Sequence, residues 1–520
     1  MQKNFIKTNP VKPYRRMRMK WLLFFMIFGV VIVWFGIKDE KEPPIKPEES
    51  TPLDEEKDDF QYLEKSPDIR VLLQAGNYDG IYHAKVELTF PAGGYILTCL
   101  NDQWEKHVVS MNDSVSIGIG EEFDYSMTKD MLIAAVASEE DNPIRVNSVE
   151  RNREVCSYYG RLEITLEDGG LLLINALPLE TYLCGVVPSE MPASYEAEAL
   201  KAQAILARTY AYKYLIEPAY PQFKAHVDDS IAFQVYGNLD NNEVTSKAVS
   251  DTAGVMLFTG RKLAEVYYYS TSCGFGTDGT AWGGEGQEYL RAIRIGKGVL
   301  KSKDGSMTGE DADEFYIKKL EDEQTFRNMI HSSFVEGYEV SEGWYRWNAR
   351  NVPVNSEAML SRMKERYEAN PNVILTQNKS GEFISKPIKN IGDIIEIRVE
   401  ERGAGGVCKS IIIEGTKNIF KVKLEYNIRY VLNGPGTTVT KADGTEVYCN
   451  TLLPSGFFYL DTIHLGQNVI SYNIYGGGYG HGVGLSQNGA NQMAKQGMNC
   501  QEILQKFFRG TIFVNYENQS

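Results

Sequence analysis

The sequence predicts an α+β protein that is membrane-anchored, with a β-rich N-terminal ectodomain region followed by a mixed α+β core. Three observations lead to this prediction. An uninterrupted apolar run of 17 residues lies at Trp21–Ile37, which is long enough to span a bilayer. Short alternating apolar runs separated by Gly, Asn and Asp fill residues 69–150, as expected for strands. Beyond residue 177, apolar residues recur at helical spacing between further strand-like runs.

Composition excludes some classes of protein. The 520 residues are enough for two or three domains. The net charge is −15 and no basic patch interleaved with aromatics occurs outside the N-terminus, which argues against nucleic-acid binding. The seven cysteines include no C-x-x-C pair, so scattered buried thiols are the simplest interpretation.

The N-terminus reads as an anchor. Its first 20 residues carry seven Lys or Arg side chains and no acidic one, and acidic residues follow the apolar run. The positive flank is expected in the cytoplasm, so residues 1–38 form a cytoplasmic tail and a transmembrane anchor, and the rest is extracytoplasmic. A cleaved signal peptide is the alternative, but no small-x-small site follows the run.

The remaining chain divides by composition. Residues 39–66 are rich in Pro, Glu and Asp and should form a disordered linker. Residues 67–154 are expected to form a β-rich domain, and 155–516 a mixed α+β domain with a helical, polar segment at about 300–385. Within that domain we expect strands over 156–187 and 391–431. The helices are predicted near 242–252, 312–331, 355–370, 488–497 and 500–508.

A stiff turn places a carboxylate beside a helix. Pro188 and Pro192 each fix φ and restrict the preceding residue, so Glu190 is expected on a rigid loop between a strand-like run, Tyr182–Val187, and an alanine-rich helix capped by Ser194. A carboxylic acid held in this way is a candidate general acid. The alternative is a Glu that only interacts with the helix dipole.

The stretch V-V-P-S-E-M-P…A-L-K-A-Q-A…A-R-T-Y-A resembles the signature of the SpoIID/LytB family. Three further stretches are similar to that family: Q-V-Y-G from residue 234, which resembles the family's Q-V-Y-x-G signature, S-T-S…W-G…Y-L from residue 270, and G-H-G-V-G-L-S-Q from residue 480. The resemblance covers about residues 155–515. The family members best understood chemically are lytic transglycosylases that cut peptidoglycan glycan strands, so the resemblance implies that Glu190 is the catalytic acid.

The resemblance also implies residues of a substrate cleft. The predicted substrate-binding residues are Arg208, Ser270, Ser272, Thr277, Tyr289 and His481. Hydroxyls of the Ser-Thr-Ser turn can bond sugar hydroxyls or N-acetyl groups, or they simply shape the turn. His481 is either a proton shuttle or substrate donor, or a structural His among glycines.

No metal or other cofactor is expected. Some relatives carry a His directly before S-T-S and use it, with nearby cysteines, to bind zinc. Here Tyr269 takes that position and Cys273 alone is near, and one Cys cannot form a four-ligand zinc site.

These features predict a lytic transglycosylase of the cell wall that acts in sporulation-linked wall remodelling. Its expected partners are peptidoglycan glycan strands, the cell membrane through a single N-terminal helix, and a cell-wall amidase. The alternative is a non-catalytic activator, or enhancer, of an N-acetylmuramoyl-L-alanine amidase. A structural envelope component is a third interpretation.

Overall fold

The computed structural model describes residues 67–151, 154–237, 241–299, 306–332 and 337–516. The predicted cytoplasmic tail, anchor and linker, residues 1–66, lie outside these ranges. Across the described ranges, no helix combines the length and the apolar character that a membrane span requires.

The N-terminal part is built from strands. They are β1 (Asp68–Leu73), β2 (Val86–Thr89), β3 (Gly94–Leu100), β4 (Gln103–Val109), β5 (Ser114–Gly118), β6 (Tyr125–Ser126), β7 (Met131–Ala137), β8 (Ile144–Arg151), β9 (Glu154–Tyr158), β10 (Arg161–Glu167) and β11 (Gly170–Pro178). One sheet has the order β6-β5-β2-β8-β9. The alternating apolar runs of the sequence are therefore strands, as predicted.

The next segment contains three α-helices and four short strands among its described residues. It contains α1 (Leu179–Glu190), α2 (Ala197–Ile216), β12 (Val227–Asp228), α3 (Glu243–Asp251), β13 (Val255–Thr259), β14 (Lys262–Leu263) and β15 (Tyr268–Tyr269). Strand β12 completes a seven-stranded sheet of order β12-β1-β11-β10-β7-β3-β4. This sheet takes strands from both sides of the boundary predicted at residues 154–155.

A second core lies between residues 347 and 474. The segment contains α4 (Glu310–Lys319), α5 (Glu323–His331), β16 (Trp347–Pro353), α6 (Ser356–Ala369), β17 (Ile374–Gln377), β18 (Phe383–Ile384), β19 (Ile394–Arg402), β20 (Cys408–Gly415), β21 (Ile419–Lys423), α7 (Glu425–Leu432), β22 (Thr438–Lys441), β23 (Glu446–Tyr448), β24 (Phe458–Leu465) and β25 (Asn468–Gly476). Two five-stranded sheets form it, β23-β22-β16-β25-β24 and β18-β17-β21-β20-β19.

The C-terminal segment returns to the first core. It comprises β26 (Leu485–Ser486), α8 (Gln487–Lys495), α9 (Cys500–Phe507) and β27 (Ile512–Asn515). Strand β26 pairs in parallel with β15, and β27 pairs antiparallel with β13. Apolar side chains of α8 and α9 join the same core as the N-terminal sheets, α1 and α2. The C-terminal segment thus brings Glu190, Tyr268 and Gln487, which are far apart in the sequence, into one region.

The strand predicted at Tyr182–Val187 is wrong, because these residues lie in helix α1. Leu179, Tyr182, Leu183, Val186 and Val187 are all buried, and their spacing places them on one helical face. Pro188 lies inside the last turn of the helix and does not end it.

Several other predictions can be compared directly. Helix α2 begins at Ala197, with Glu196 at its N-cap position, so the predicted Ser194 cap is wrong. The strands predicted over 391–431 give way to a helix at α7, and the segment 300–385 holds β16–β18 beside α4–α6. The predicted helices at 242–252, 488–497 and 500–508 are confirmed. Asparagine or serine side chains cap all three.

Candidate active site

Glu190 is the last residue of α1, and its side chain is half-buried. One carboxyl oxygen accepts a hydrogen bond from the backbone N–H of Val235 at 2.9 Å. The Tyr268 hydroxyl and the Gln487 side-chain amide also hydrogen-bond to the carboxyl group. Donors from three separate segments of the chain thus surround the carboxyl group.

Burial raises the pKa of Glu190 from its ordinary value to about 7, against the opposing effect of the three hydrogen bonds. The carboxyl group also lies at the C-terminal end of α1, where the partial negative charge of the helix disfavours a carboxylate. A carboxyl group with a pKa near neutrality can both give and take a proton at the working pH, as an acid–base catalyst must.

A buried polar network supports the Tyr268 hydroxyl. The Gln234 amide nitrogen donates to this hydroxyl at 3.1 Å and to the Ala207 carbonyl at 3.3 Å. The Tyr182 hydroxyl donates to the Gln234 amide oxygen at 3.4 Å. Since Gln234 is buried, the network fixes the orientation of the ring that contacts Glu190.

The short parallel pair β15–β26 aligns the two other donors. Tyr268 pairs with Leu485 and Tyr269 with Ser486, and Ser486 caps α8 through the backbone N–H of Gly489. Gln487 is the first residue of that helix, so its amide reaches Glu190 from a fixed position.

Ser270, which is predicted to bind substrate, is half-buried. Its carbonyl accepts the backbone N–H of Asn488 at 2.9 Å. The Asn488 side chain joins two further hydroxyls, because its amide nitrogen donates to Thr271 at 2.9 Å and its oxygen accepts from Tyr195 at 2.5 Å. These hydroxyl and amide groups form a polar rim around Asn488, the residue that follows Gln487 in the chain.

Ser272, the other serine predicted to bind substrate, is buried and belongs to a different group of contacts. Its backbone N–H donates to Glu339 at 2.9 Å, and its hydroxyl also donates to that carboxylate. Ser486 donates to Glu339 at 2.7 Å. Glu339 therefore ties the Ser-Thr-Ser turn to the start of α8, and burial raises its pKa to about 7.

Arg208 is fully buried and does not lie beside Glu190. Its guanidinium group makes a two-fold ion pair with Glu180, with both N–O distances at 2.7 Å, and donates to the carbonyls of Val249 and Val255. Glu180 and Glu190 occupy opposite ends of α1, about 15 Å apart at 1.5 Å per residue. The arginine therefore stabilises the packing of α1 and α2, and this position does not fit the predicted cleft role.

Thr277 and Tyr289 are also buried. The Thr277 backbone N–H donates to the Gly482 carbonyl at 2.7 Å, and its hydroxyl has no hydrogen-bond partner in the part of the chain that the structure describes. The Tyr289 hydroxyl accepts the backbone N–H of Glu265 at 2.8 Å. These bonds link neither side chain to Glu190 or to the residues that hydrogen-bond to it.

His481 is half-buried and lies against the Trp282 ring, with ring centres 5.0 Å apart. Its Nδ1 accepts the backbone N–H of Val483 at 3.1 Å, which places the proton of the neutral ring on Nε2. Burial lowers the pKa of His481 to about 3. The imidazole is therefore neutral at physiological pH, which favours the structural interpretation over a proton shuttle.

The described residues hold no cluster of three or more His, Cys, Asp or Glu side chains placed to bind a metal ion. Cys273 is buried, and its thiol donates to the Phe275 carbonyl at 3.7 Å. None of the seven cysteines forms a disulfide.

Sequence reasoning gave no role to four residues of the site: Gln234, Tyr268, Glu339 and Gln487. Gln234 and Gln487 lie in stretches that resemble the family, Q-V-Y-G and G-L-S-Q, and Tyr268 lies two residues before S-T-S. Gln234 lies between Phe233 and Val235, and a polar residue between apolar neighbours is a usable signal for a buried network. Glu339 lies in a stretch without any such signal.

Comparison with known proteins identifies two regions of the chain. Residues 167–258 match the SpoIID family, described as stage II sporulation protein. Residues 277–484 match a domain of unknown function, DUF8618. The first region contains α1, α2 and Glu190, and the second contains Glu339, the second core and His481.

Three curated relatives are similar to the chain. The amidase enhancer of Bacillus subtilis (strain 168) is 27% identical over 334 residues, which is 64% of this chain and 40% of that protein. Stage II sporulation protein D of Bacillus amyloliquefaciens and that of Bacillus subtilis (strain 168) are each 33% identical over 135 residues, 23% of this chain and 39% of each relative. The chain thus spans about 40% of the length of these relatives.

Proposed function

Because this chain belongs to the SpoIID/LytB family, we propose that it is a lytic transglycosylase that cleaves peptidoglycan glycan strands, with Glu190 as its acid and base. The observation that carries the proposal is the environment of Glu190. Its carboxyl group is half-buried, has a pKa of about 7 and has no cation among the groups that set that pKa.

The reaction needs one carboxyl group in two protonation states. Protonated Glu190 gives its proton to the glycosidic oxygen between N-acetylmuramic acid and N-acetylglucosamine, and the bond from that oxygen to the anomeric carbon breaks. The resulting carboxylate takes the proton of the muramic acid 6-hydroxyl, whose oxygen bonds to the same anomeric carbon. The product is a 1,6-anhydro sugar, Glu190 is protonated again, and no water is consumed.

The three donors around Glu190 suit both halves of this cycle. Hydrogen bonds from Val235, Tyr268 and Gln487 stabilise the carboxylate after it has given up its proton. Burial favours the protonated form before the reaction. Arg208 pairs with Glu180, so its charge does not hold Glu190 in the ionised form.

The test is digestion of purified glycan strands by the chain and by its Glu190→Gln variant, with products identified by mass spectrometry. We expect 1,6-anhydro products from the unmodified chain and a loss of at least about a hundredfold in the variant, since general acid–base catalysis contributes about 10²–10⁴-fold. Glu140→Gln, which changes an exposed carboxylate, is the matched control. Equal product release by the Glu190 variant refutes the proposal.

Activation of an N-acetylmuramoyl-L-alanine amidase is the second candidate. The similarity to an amidase enhancer over 64% of the chain favours it. The chain is incubated with peptidoglycan alone and with an added amidase. Stem-peptide release that rises with the chain present, together with no glycan cleavage by the chain alone, supports the activator. In both cases the N-terminal anchor is proposed to hold the domain outside the cell membrane, in a role linked to sporulation.

A further inference from the structure

A rigidly held tyrosine lies on the surface next to the polar rim. Tyr479 is 45% exposed, and glycines precede and follow it with φ of +84° and +113°. A Cβ at Gly480 would lie 2.7 Å from the Cβ of Tyr269, and one at Gly478 would lie 2.9 Å from the Thr271 carbonyl oxygen. Glycine is therefore required at both positions, and the backbone keeps the aromatic ring at the surface.

Trp344 supports this ring from the DUF8618 region. The two ring centres are 4.6 Å apart and the planes are inclined by 31°. The Trp344 carbonyl accepts the backbone N–H of Gly478 at 2.8 Å, which links the two segments. The Lys441 ammonium group lies 5.5 Å from the Trp344 ring centre. Trp344 is half-buried, so Tyr479 is the more exposed ring of the pair.

Backbone pairing places the ring on the same side as the polar rim. Tyr479 and Thr271 form an antiparallel bridge with N–O distances of 2.8 and 3.1 Å, and directly opposed residues of such a bridge project to one face. The Thr271 hydroxyl accepts from Asn488, and Asn488 follows Gln487, which contacts Glu190. A chain of contacts through Thr271, Asn488 and Gln487 thus links Tyr479 to Glu190.

We propose that Tyr479, backed by Trp344, is a stacking subsite for one N-acetylhexosamine ring of a β-1,4-linked glycan strand that extends from Glu190. The inference rests on the proposed function, because it takes Glu190 as the residue that cleaves the glycan strand. A pyranose ring has an apolar C–H face and a polar edge of hydroxyl and N-acetyl groups. The tyrosine ring takes the apolar face, and the amide and hydroxyls of Asn488, Ser270 and Tyr195 lie where they can bond the polar edge.

Two features favour a sugar over a protein as the occupant. The exposed apolar surface here is one aromatic ring with polar neighbours, far smaller than the patches that mark protein interfaces. The ring is also packed against Trp344, so binding costs little further conformational entropy. A rigid ring of this kind gains the most from a rigid, planar ligand face.

Binding is measured by calorimetry with the full-length chain carrying Glu190→Gln, so that no cleavage occurs. The probe is a tetrasaccharide of β-1,4-linked N-acetylglucosamine. We expect Tyr479→Ala to weaken binding about tenfold and Trp344→Ala to weaken it by a similar factor. Tyr479→Phe keeps the ring and should bind within about twofold of the parent. Tyr448→Ala removes another exposed tyrosine, on β23, and should leave binding unchanged.

Unchanged binding in both alanine variants overturns the subsite, and so does the absence of tetrasaccharide binding by the parent. Cleavage of glycan strands is measured separately with Glu190 intact. If the binding pattern holds and no strand is cleaved, the proposed function fails and the subsite stands. If strands are cleaved and the alanine variants bind like the parent, the subsite fails and the proposed function stands.

Discussion

Replacing Glu190 by glutamine should make the protein more stable at alkaline pH. Burial raises the pKa of this carboxyl group from 4.5 to about 7, so the folded state binds its proton more tightly than the unfolded state does. Stability from this group is therefore fully present below pH 4.5 and is lost as the pH rises through 7. A pKa shift of that size corresponds to about 3 kcal/mol of folding stability. The Glu190→Gln variant does not lose this stability, because glutamine has no charged form.

The assay compares the unfolding midpoints of the parent and the Glu190→Gln variant between pH 5 and pH 8. The variant should be little changed at pH 5 and more stable at pH 8, with a difference approaching about 3 kcal/mol. Glu140→Gln, an exposed position, should show no such trend. A stability difference that is the same at every pH, or that grows toward acid pH, would contradict the burial of Glu190 inferred here.

Three more substitutions test the roles assigned to the surrounding residues. Arg208→Ala should lower the free energy of unfolding, measured by thermal unfolding, by about 3 kcal/mol, because it breaks the ion pair with Glu180. A variant of normal stability that binds glycan poorly would instead indicate a cleft role. Tyr268→Phe removes a hydrogen bond that lowers the pKa of Glu190, so the alkaline decline of activity should move to higher pH in a pH–rate profile, and a move to lower pH would refute this contact. Glu339→Ala leaves two serine hydroxyls and one N–H without an acceptor and should lower the free energy of unfolding in urea by about 2–3 kcal/mol. Glu339→Gln should lower it less. Equal stability of the two variants would show that Glu339 does not tie the two turns together.

The strand pattern and many helix positions could be predicted because they depend on local spacing. The prediction fails for the first helix, because a proline at position 188 favours a break after a strand. A proline in the last turn loses only one intrahelical bond, and the apolar spacing from Leu179 to Val187 is helical. Because this helix is not expected from the sequence, neither is the position of Glu190 at a helix C-terminus, where the dipole favours its protonated form.

The partners of the site residues depend on long-range pairing. Glu180 meets Arg208 only because α1 packs on α2, and Gln487 meets Glu190 only because β26 pairs with β15. No periodicity in the sequence encodes these contacts. Glu190 could be selected as the candidate acid from its motif, whereas its partial burial and the contacts of Arg208 and Ser272 follow from the fold.

Cleavage of purified glycan strands in ¹⁸O-labelled water tests the central claim most directly. If Glu190 transfers one proton to the glycosidic oxygen and takes another from the muramic acid 6-hydroxyl, every new muramic acid end is a 1,6-anhydro sugar without ¹⁸O. The Glu190→Gln variant then releases almost none of this product. New reducing ends that carry ¹⁸O, or undiminished 1,6-anhydro product from the variant, would contradict the account.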